Sequence, residues 1–178
     1  MQDIVIGYAG KYGTTKELSK RLEAELRAIA TQSADQRREI DILRLPVREL
    51  SVEHIHDARV VVLGGPIYAG RLPRVLRKFC ERNRTALLSR DIGLFISCLY
   101  QDQQARDQLV QAFPQWLFDH AIASANLGGR VKLDNLKSID RLLVKRFGKI
   151  DQDLDRIDDR RISSFAGELY SVLKRELG

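Results

Sequence analysis

The sequence predicts an α/β protein, a doubly wound, three-layer fold around a five-stranded parallel sheet. Short apolar stretches alternate five times with amphipathic helical stretches along the chain. Each apolar stretch is too uniformly hydrophobic for a one-sided antiparallel sheet and reads as a strand covered on both faces. Loops rich in glycine or small polar residues follow the first, third and fourth of them.

Ile4-Val5-Ile6, within residues 3–8, is a short β-branched run, and Gly7-Tyr8-Ala9-Gly10-Lys11-Tyr12-Gly13 follows it as a turn. Leu18, Leu22, Leu26 and Ile29 then recur at helical spacing, with Lys20, Arg21, Glu23, Glu25 and Arg27 between them. Thr14, followed three residues later by Glu17, matches a capping box and predicts the helix start. Polar residues 31–38 separate this helix from a second strand at about 39–44, which Pro46 ends. Arg59-Val60-Val61-Val62-Leu63 is the strongest strand, and Gly64-Gly65-Pro66 is expected to stop it. There follow a helix over 72–83, a strand over 92–97, a helix over 102–116 and a fifth strand over 121–127. Ile162, Phe165, Ala166, Leu169, Leu173 and Leu177 make the closing helix. Residues 128–161 exceed an ordinary connection and carry a helical pattern of their own at Ile139, Leu142, Leu143 and Phe147, which reads as an insertion before that last helix.

With 178 residues the chain is long enough for one domain, residues 1–178, with a core that needs neither disulfides nor a structural metal. Hydrophobic residues at 44% and charged residues at 30% exclude a disordered or fibrous chain, and no uncharged apolar run approaches the ~18 residues of a membrane span. The charge of +6 permits an anionic partner without selecting one. At 7% aromatic, with most rings in core patterns, a nucleic-acid-binding module is not expected. Cys80 and Cys98 form no C-x-x-C pair, and the first residues lack the pattern of a secretory signal, so a cytoplasmic setting is expected. His54, His56 and His120 lack metal-site spacing, and no metal is expected.

Ligands of open parallel sheets bind beyond the carboxyl ends of the strands, which directs attention to three loops. In residues 9–15, two glycines and two threonines precede a helix, so backbone amides, hydroxyls and the helix dipole can converge on a phosphate. Tyr12 follows Gly10-Lys11, which excludes a Walker A loop, and Gly7, Gly10 and Gly13 are spaced G-x-x-G-x-x-G, which excludes the dinucleotide fingerprint. A plain glycine turn before a capped helix is the alternative. Gly64-Gly65-Pro66-Ile67-Tyr68-Ala69-Gly70 combines glycines that allow close approach of a planar ligand with an aromatic face at Tyr68, and Ser97-Cys98-Leu99-Tyr100 would form the facing wall.

With these loops in order, the chain resembles the flavodoxin-like FMN proteins, and within them the group that includes quinone-linked protoporphyrinogen IX dehydrogenases. The likeness rests on Tyr8-Ala9-Gly10-Lys11-Tyr12-Gly13-Thr14-Thr15, on Gly64-Gly65-Pro66-Ile67-Tyr68-Ala69-Gly70, and on Asp140-Arg141-Leu142-Leu143-Val144-Lys145 in the insertion. It implies strand order 2-1-3-4-5 with FMN at the switch point, the arrangement general to flavodoxins. Lys11, Tyr12, Gly13, Thr14 and Thr15 would bind the phosphate. Pro66, Ile67, Tyr68, Ala69 and Gly70 would line the isoalloxazine, with Ser97, Cys98, Leu99 and Tyr100 opposite. Relatives usually carry hydroxyl residues where Gly10 and Tyr12 stand, so backbone amides are expected to serve there.

The activity implied is an FMN-dependent oxidoreductase, in its most specific form a quinone-linked dehydrogenation of protoporphyrinogen IX in haem biosynthesis. The alternative is an FMN electron carrier without small-molecule turnover. Neither needs a catalytic triad, because the flavin carries the chemistry. The partner would be a quinone or a redox protein. Residues 130–149 hold Arg130, Lys132, Lys137, Arg141, Lys145, Arg146 and Lys149 against Asp134 and Asp140, a local excess of 7 − 2 = +5. This segment could touch the inner face of an anionic membrane peripherally or dock an acidic redox partner, or it could be an ordinary helix with solvated charges.

Overall fold

The computed structural model describes residues 2–33, 39–68, 70–135 and 152–177. Strand β1 (Gln2–Tyr8) is buried from Asp3 onward, as its apolar run requires. It is followed by α1 (Thr14–Gln32), β2 (Ile42–Pro46), α2 (Val52–His56), β3 (Ala58–Pro66), α3 (Arg74–Arg82), α4 (Arg84–Leu87) and β4 (Asp91–Ser97). Next come α5 (Asp102–Ala112), α6 (Gln115–His120), β5 (Ala123–Asn126), β6 (Arg130–Val131), β7 (Leu154–Asp155) and the closing helix α7 (Asp159–Leu177).

Strands β1 to β5 form one parallel sheet in the order β2-β1-β3-β4-β5. Alternation along each strand sends neighbouring side chains to opposite faces. Val5, Val61, Leu63, Ile92 and Leu94 face a core completed by Ile55, Leu76, Phe79, Leu87 and Leu117 from α2, α3, α4 and α6. Ile4, Ile6, Val60, Val62 and Phe95 face the other, completed by Leu18, Leu22 and Leu26 of α1 and Phe165 and Leu169 of α7. Two buried apolar cores on either side of one sheet are the doubly wound architecture the sequence predicts.

The structure departs from the sequence reading at four places. Gly64-Gly65-Pro66 continues β3 rather than stopping it, pairing with Phe95, Ile96 and Ser97 of β4. Both glycines are packing positions: a Cβ at Gly64 would stand 2.0 Å from the Phe95 ring, and one at Gly65 would stand 2.8 Å from Leu76. The helix expected over 102–116 breaks at Phe113-Pro114 into α5 and α6, because the residue before proline is forced into an extended conformation, here φ −97°, ψ 158°. The second strand lies later than expected and includes Pro46 as its last residue, tolerated because β2 is an edge strand.

The fourth departure is at the start of α1. Its N-cap is Gly13 in the left-handed region at φ 88°, without a side-chain cap. The Thr14 hydroxyl instead donates to the Arg130 carbonyl at 3.2 Å, and Glu17 binds the Arg21 and Arg130 guanidinium groups at 2.6 Å each. No Thr14–Glu17 capping box forms, because partners more than 100 residues away in sequence take both side chains.

The insertion is rooted by an antiparallel ribbon in which Arg130 pairs with Asp155 and Val131 with Leu154. Arg130 Nε donates to Asp155 at 2.7 Å, and Arg21 reaches Asp159 at the start of α7 at 2.8 Å, so the ribbon, α1 and α7 are joined by one chain of ion pairs. The Asp155 carboxyl is held below the usual carboxylate range. Partial desolvation opposes this and is outweighed by the Ile157 N–H and by Arg130 and Arg21. The helical pattern at Ile139, Leu142, Leu143 and Phe147 and the stretch 140–145 lie outside the described residues.

Among the described residues no helix is long and apolar enough to cross a membrane. His54 Nδ1 accepts the Ser51 N–H at 3.0 Å, closing a capping box on α2, and His120 Nε2 lies 2.9 Å from the Arg90 carbonyl. Both are structural contacts.

Candidate cofactor site

The loops after β1, β3 and β4 meet at one end of the sheet because these strands are neighbours in its order. In the first, Gly13 turns the chain into α1 with a positive φ that glycine adopts freely. The first-turn amides of a helix have no intrahelical acceptor, and here no side chain caps them. Next to them lies the Thr15 hydroxyl, buried and, among the described residues, without a hydrogen-bond partner. Gly10 faces it, and a Cβ at that position would stand 3.2 Å from Thr15 Cβ and Oγ1. Amides without a side-chain cap, a buried hydroxyl with no partner among the described residues, the positive end of a 19-residue helix and a glycine that keeps the approach open are features that can together receive an anion.

Lys11 is exposed, with Nζ 5.2 Å from the Tyr12 ring centroid. The Tyr12 ring meets Tyr68 edge to face, with centroids 6.4 Å apart, which joins the first loop to the second. In that second loop, Pro66 completes β3, and the Ile67 N–H donates to the Ser97 carbonyl at 3.1 Å, tying it to the third. Tyr68 and Arg71 exchange two backbone hydrogen bonds, of 2.9 and 3.0 Å, across a tight turn, with Gly70 at φ 77°. Ala69 lies outside the described residues. Tyr68 at 41% and Tyr100 at 43% are among the most exposed large apolar side chains, one on each facing loop.

The third loop is held from behind by residues the sequence analysis did not single out. Asn126 Nδ2 donates to the Tyr100 carbonyl at 3.3 Å, and Arg156 Nη1 donates to the Leu99 carbonyl at 2.7 Å. The Cys98 N–H donates to Gly128 at 3.1 Å, and a Cβ at Gly129 would stand 3.2 Å from the Cys98 carbonyl carbon. The Gly128-Gly129 pair after β5 was the available sequence signal, since adjacent glycines mark close backbone approach. Asp102, which follows this loop, has a φ of 50°, uncommon for a non-glycine residue.

Neither cysteine is poised for redox chemistry. Burial, aided by the Glu81 charge, pushes the Cys80 thiol up to about 12, and burial also raises that of Cys98. That rise suppresses the reactive thiolate of Cys80. We therefore expect iodoacetamide at about pH 8 to leave both thiols of the folded chain unmodified, as read by intact mass, and to label both at once in denaturant. Rapid native labelling of Cys98 would show its sulfur open to the site.

A doubly wound sheet carrying an anion cradle at its first crossover and two tyrosine-bearing turns beside it defines a flavodoxin-like protein. The chain belongs to the flavodoxin-domain family, whose model matches residues 5–158. FMN is the cofactor of this family. The fold is similar to that of two-electron reduced Megasphaera elsdenii flavodoxin, at 19% identity over 79% of this chain and 95% of that one, with a TM-score of 0.55. It is also similar to an oxidoreductase from Corynebacterium diphtheriae, at 12% identity over 98% of both chains and a TM-score of 0.63. A third similar structure is the rubredoxin oxygen:oxidoreductase of Desulfovibrio gigas, at 12% identity over all of this chain and 37% of that one, with a TM-score of 0.63. No curated protein sequence matches the chain.

Proposed function

We propose that this chain is an FMN-dependent oxidoreductase whose first loop holds the flavin phosphate and whose second and third loops hold the ring. The supporting observation is the buried, unpartnered Thr15 hydroxyl beside the uncapped start of α1. A buried donor without a partner costs stability, and a phosphate oxygen is the acceptor that this position suits. The Gly13, Thr14 and Thr15 amides and the Thr15 hydroxyl would hold the phosphate, and Lys11 and the Tyr12 backbone would complete the loop. Thr14 serves through its amide, since its hydroxyl is already given to Arg130.

Bound FMN would supply hydride or electron transfer, and the chain binds and orients it. Pro66, Ile67, Tyr68 and Gly70 would line one side of the ring and Ser97, Cys98, Leu99 and Tyr100 the other; Ala69, assigned to the first side by the resemblance, lies outside the described residues. The net charge of +6 and Lys11 favour the anionic reduced ring, which raises its potential relative to an acidic carrier.

The specific form of this reading is quinone-linked dehydrogenation of protoporphyrinogen IX, supported by the resemblance of residues 140–145. Peripheral membrane contact through residues 130–149 would accompany it. Arg130 is committed to Glu17 and Asp155, so that contact falls to the other cations of the segment. The second reading, an electron carrier, needs nothing beyond the flavodoxin fold and the same site. Titration with FMN is expected to give a yellow complex; a chain that stays colourless at saturating FMN overturns both readings. Steady-state turnover of a porphyrinogen with a quinone and no protein partner selects the first, and its absence in the FMN-loaded chain selects the second.

A further inference from the structure

Helix α3 departs from the second loop, and its solvent face is cationic. Arg74, Arg77, Lys78 and Arg82 are exposed along it, and Arg71 is exposed in the turn that carries Tyr68; Glu81 is the one acid on that face. Three features of this stripe work against the helix itself. Arg74, Lys78 and Arg82 stack at i,i+4 spacing, where like charges repel. The first turn holds no acid and does hold Arg74, so a cation sits at the positive end of the helix dipole. Among the described residues none of the five cations forms an ion pair or a side-chain hydrogen bond that would offset this. Arg82 alone suits its place, in the last turn at the negative end of the dipole; the rest of the stripe is disfavoured locally and is continuous with a turn of the candidate cofactor site through the paired Tyr68 and Arg71 backbones.

The geometry points to α3 as the docking face for an acidic redox protein that exchanges electrons at the Tyr68 turn, an inference that rests on the FMN reading. The inner face of α3, Leu76, Phe79 and Cys80, is buried, so no large apolar side chain on the helix is left to enter a lipid surface. Nor does the outer face carry an aromatic residue on which a base could stack. Complementary charge beside the redox centre speeds encounter and orients a protein partner.

The test uses the FMN-loaded full chain, with bound flavin verified by absorbance, and an acidic plant-type [2Fe–2S] ferredoxin as probe. We expect Kd to rise about tenfold or more between roughly 20 and 200 mM salt. Arg74→Gln/Lys78→Gln is expected to weaken binding about fivefold or more at low salt while its thermal midpoint stays level or rises by about 2 °C, because repulsion within α3 is relieved. Arg160→Gln/Lys174→Gln on α7 removes the same charge elsewhere and is expected to leave Kd within about twofold. An unchanged Kd in the α3 variant, or an equal loss in the α7 variant, overturns the proposal. So does α3-dependent binding to phosphatidylglycerol vesicles or a single-stranded RNA homopolymer without binding to the ferredoxin. A chain that binds no flavin overturns the FMN reading instead, and is recognised beforehand from the spectrum.

Discussion

Gly64→Ala is expected to destabilise the fold by about 3 kcal/mol or more, the cost of severe overpacking in a closed core. The added Cβ would stand 2.0 Å from Phe95 Cε1 and Cζ, with Phe95 paired directly across β3 and β4. The ring cannot easily withdraw, since it is fully buried and meets Phe165 edge to face at 6.4 Å between centroids. Chemical denaturation of Gly64→Ala, Phe95→Leu and the double variant forms a cycle. Phe95→Leu alone leaves a cavity and costs about 1–3 kcal/mol, whereas in the double variant the methyl group occupies space the ring has vacated. The double variant is therefore expected to be at least about 1 kcal/mol more stable than the sum of the single effects predicts. Strict additivity would mean that Gly64 is required for its backbone alone.

That pair also shows where reading the sequence succeeds and where it stops. The five strands, the burial of the three inner ones and the positions of the three loops follow from local composition: Ile4-Val5-Ile6 and Val60-Val61-Val62 are buried on both faces of the sheet, as continuous apolar runs predict, whereas the edge strands β2 and β5 are only partly covered. The strand order came from a resemblance and agrees with the structure. Gly64-Gly65 is different. Whether two glycines end a strand or make room within it depends on what lies opposite, and Phe95 is a strand away. Thr14-x-x-Glu17 has the composition of a capping box, yet Arg130 outcompetes the local bonds from 113 residues further on. The supports of the third loop reach it from Asn126 and Arg156, 26 and 57 residues beyond the groups they hold. By contrast, the break at Phe113-Pro114 had a local signal, because proline restricts the residue before it.

The candidate site is legible in the sequence only as the places of its loops. Loop positions follow from topology, but the feature that makes the first loop a cradle, a buried hydroxyl left without a partner, is a property of packing. Of the two threonines there, composition alone cannot tell which is spent on structure. The structure divides them: Thr14 bonds Arg130, and Thr15 remains available.

Thr15→Val separates binding from folding, because it exchanges a hydroxyl for a methyl group at nearly constant volume. In the FMN-free chain a buried hydroxyl without a partner is a cost, so its removal is expected to raise stability by up to about 1 kcal/mol. On the proposed phosphate site the same change would delete a hydrogen bond to a charged phosphate, worth about 1.5–3 kcal/mol, so FMN is expected to bind about 10- to 100-fold more weakly. Riboflavin, which has the ring but no phosphate, is expected to keep its affinity within about twofold, since in the proposed site Thr15 would touch only the phosphate end. Gly10→Ala, whose methyl group would stand 3.2 Å from the Thr15 hydroxyl, is expected to shift the two affinities in the same unequal way. Fluorescence titrations with both flavins and a thermal melt of the flavin-free chain measure all three effects. Equal weakening for the two flavins would make Thr15 a packing residue of the loop, and an unchanged FMN affinity would place the phosphate elsewhere; only a more stable chain with a selective loss for the phosphorylated flavin fits a hydroxyl kept buried for its ligand.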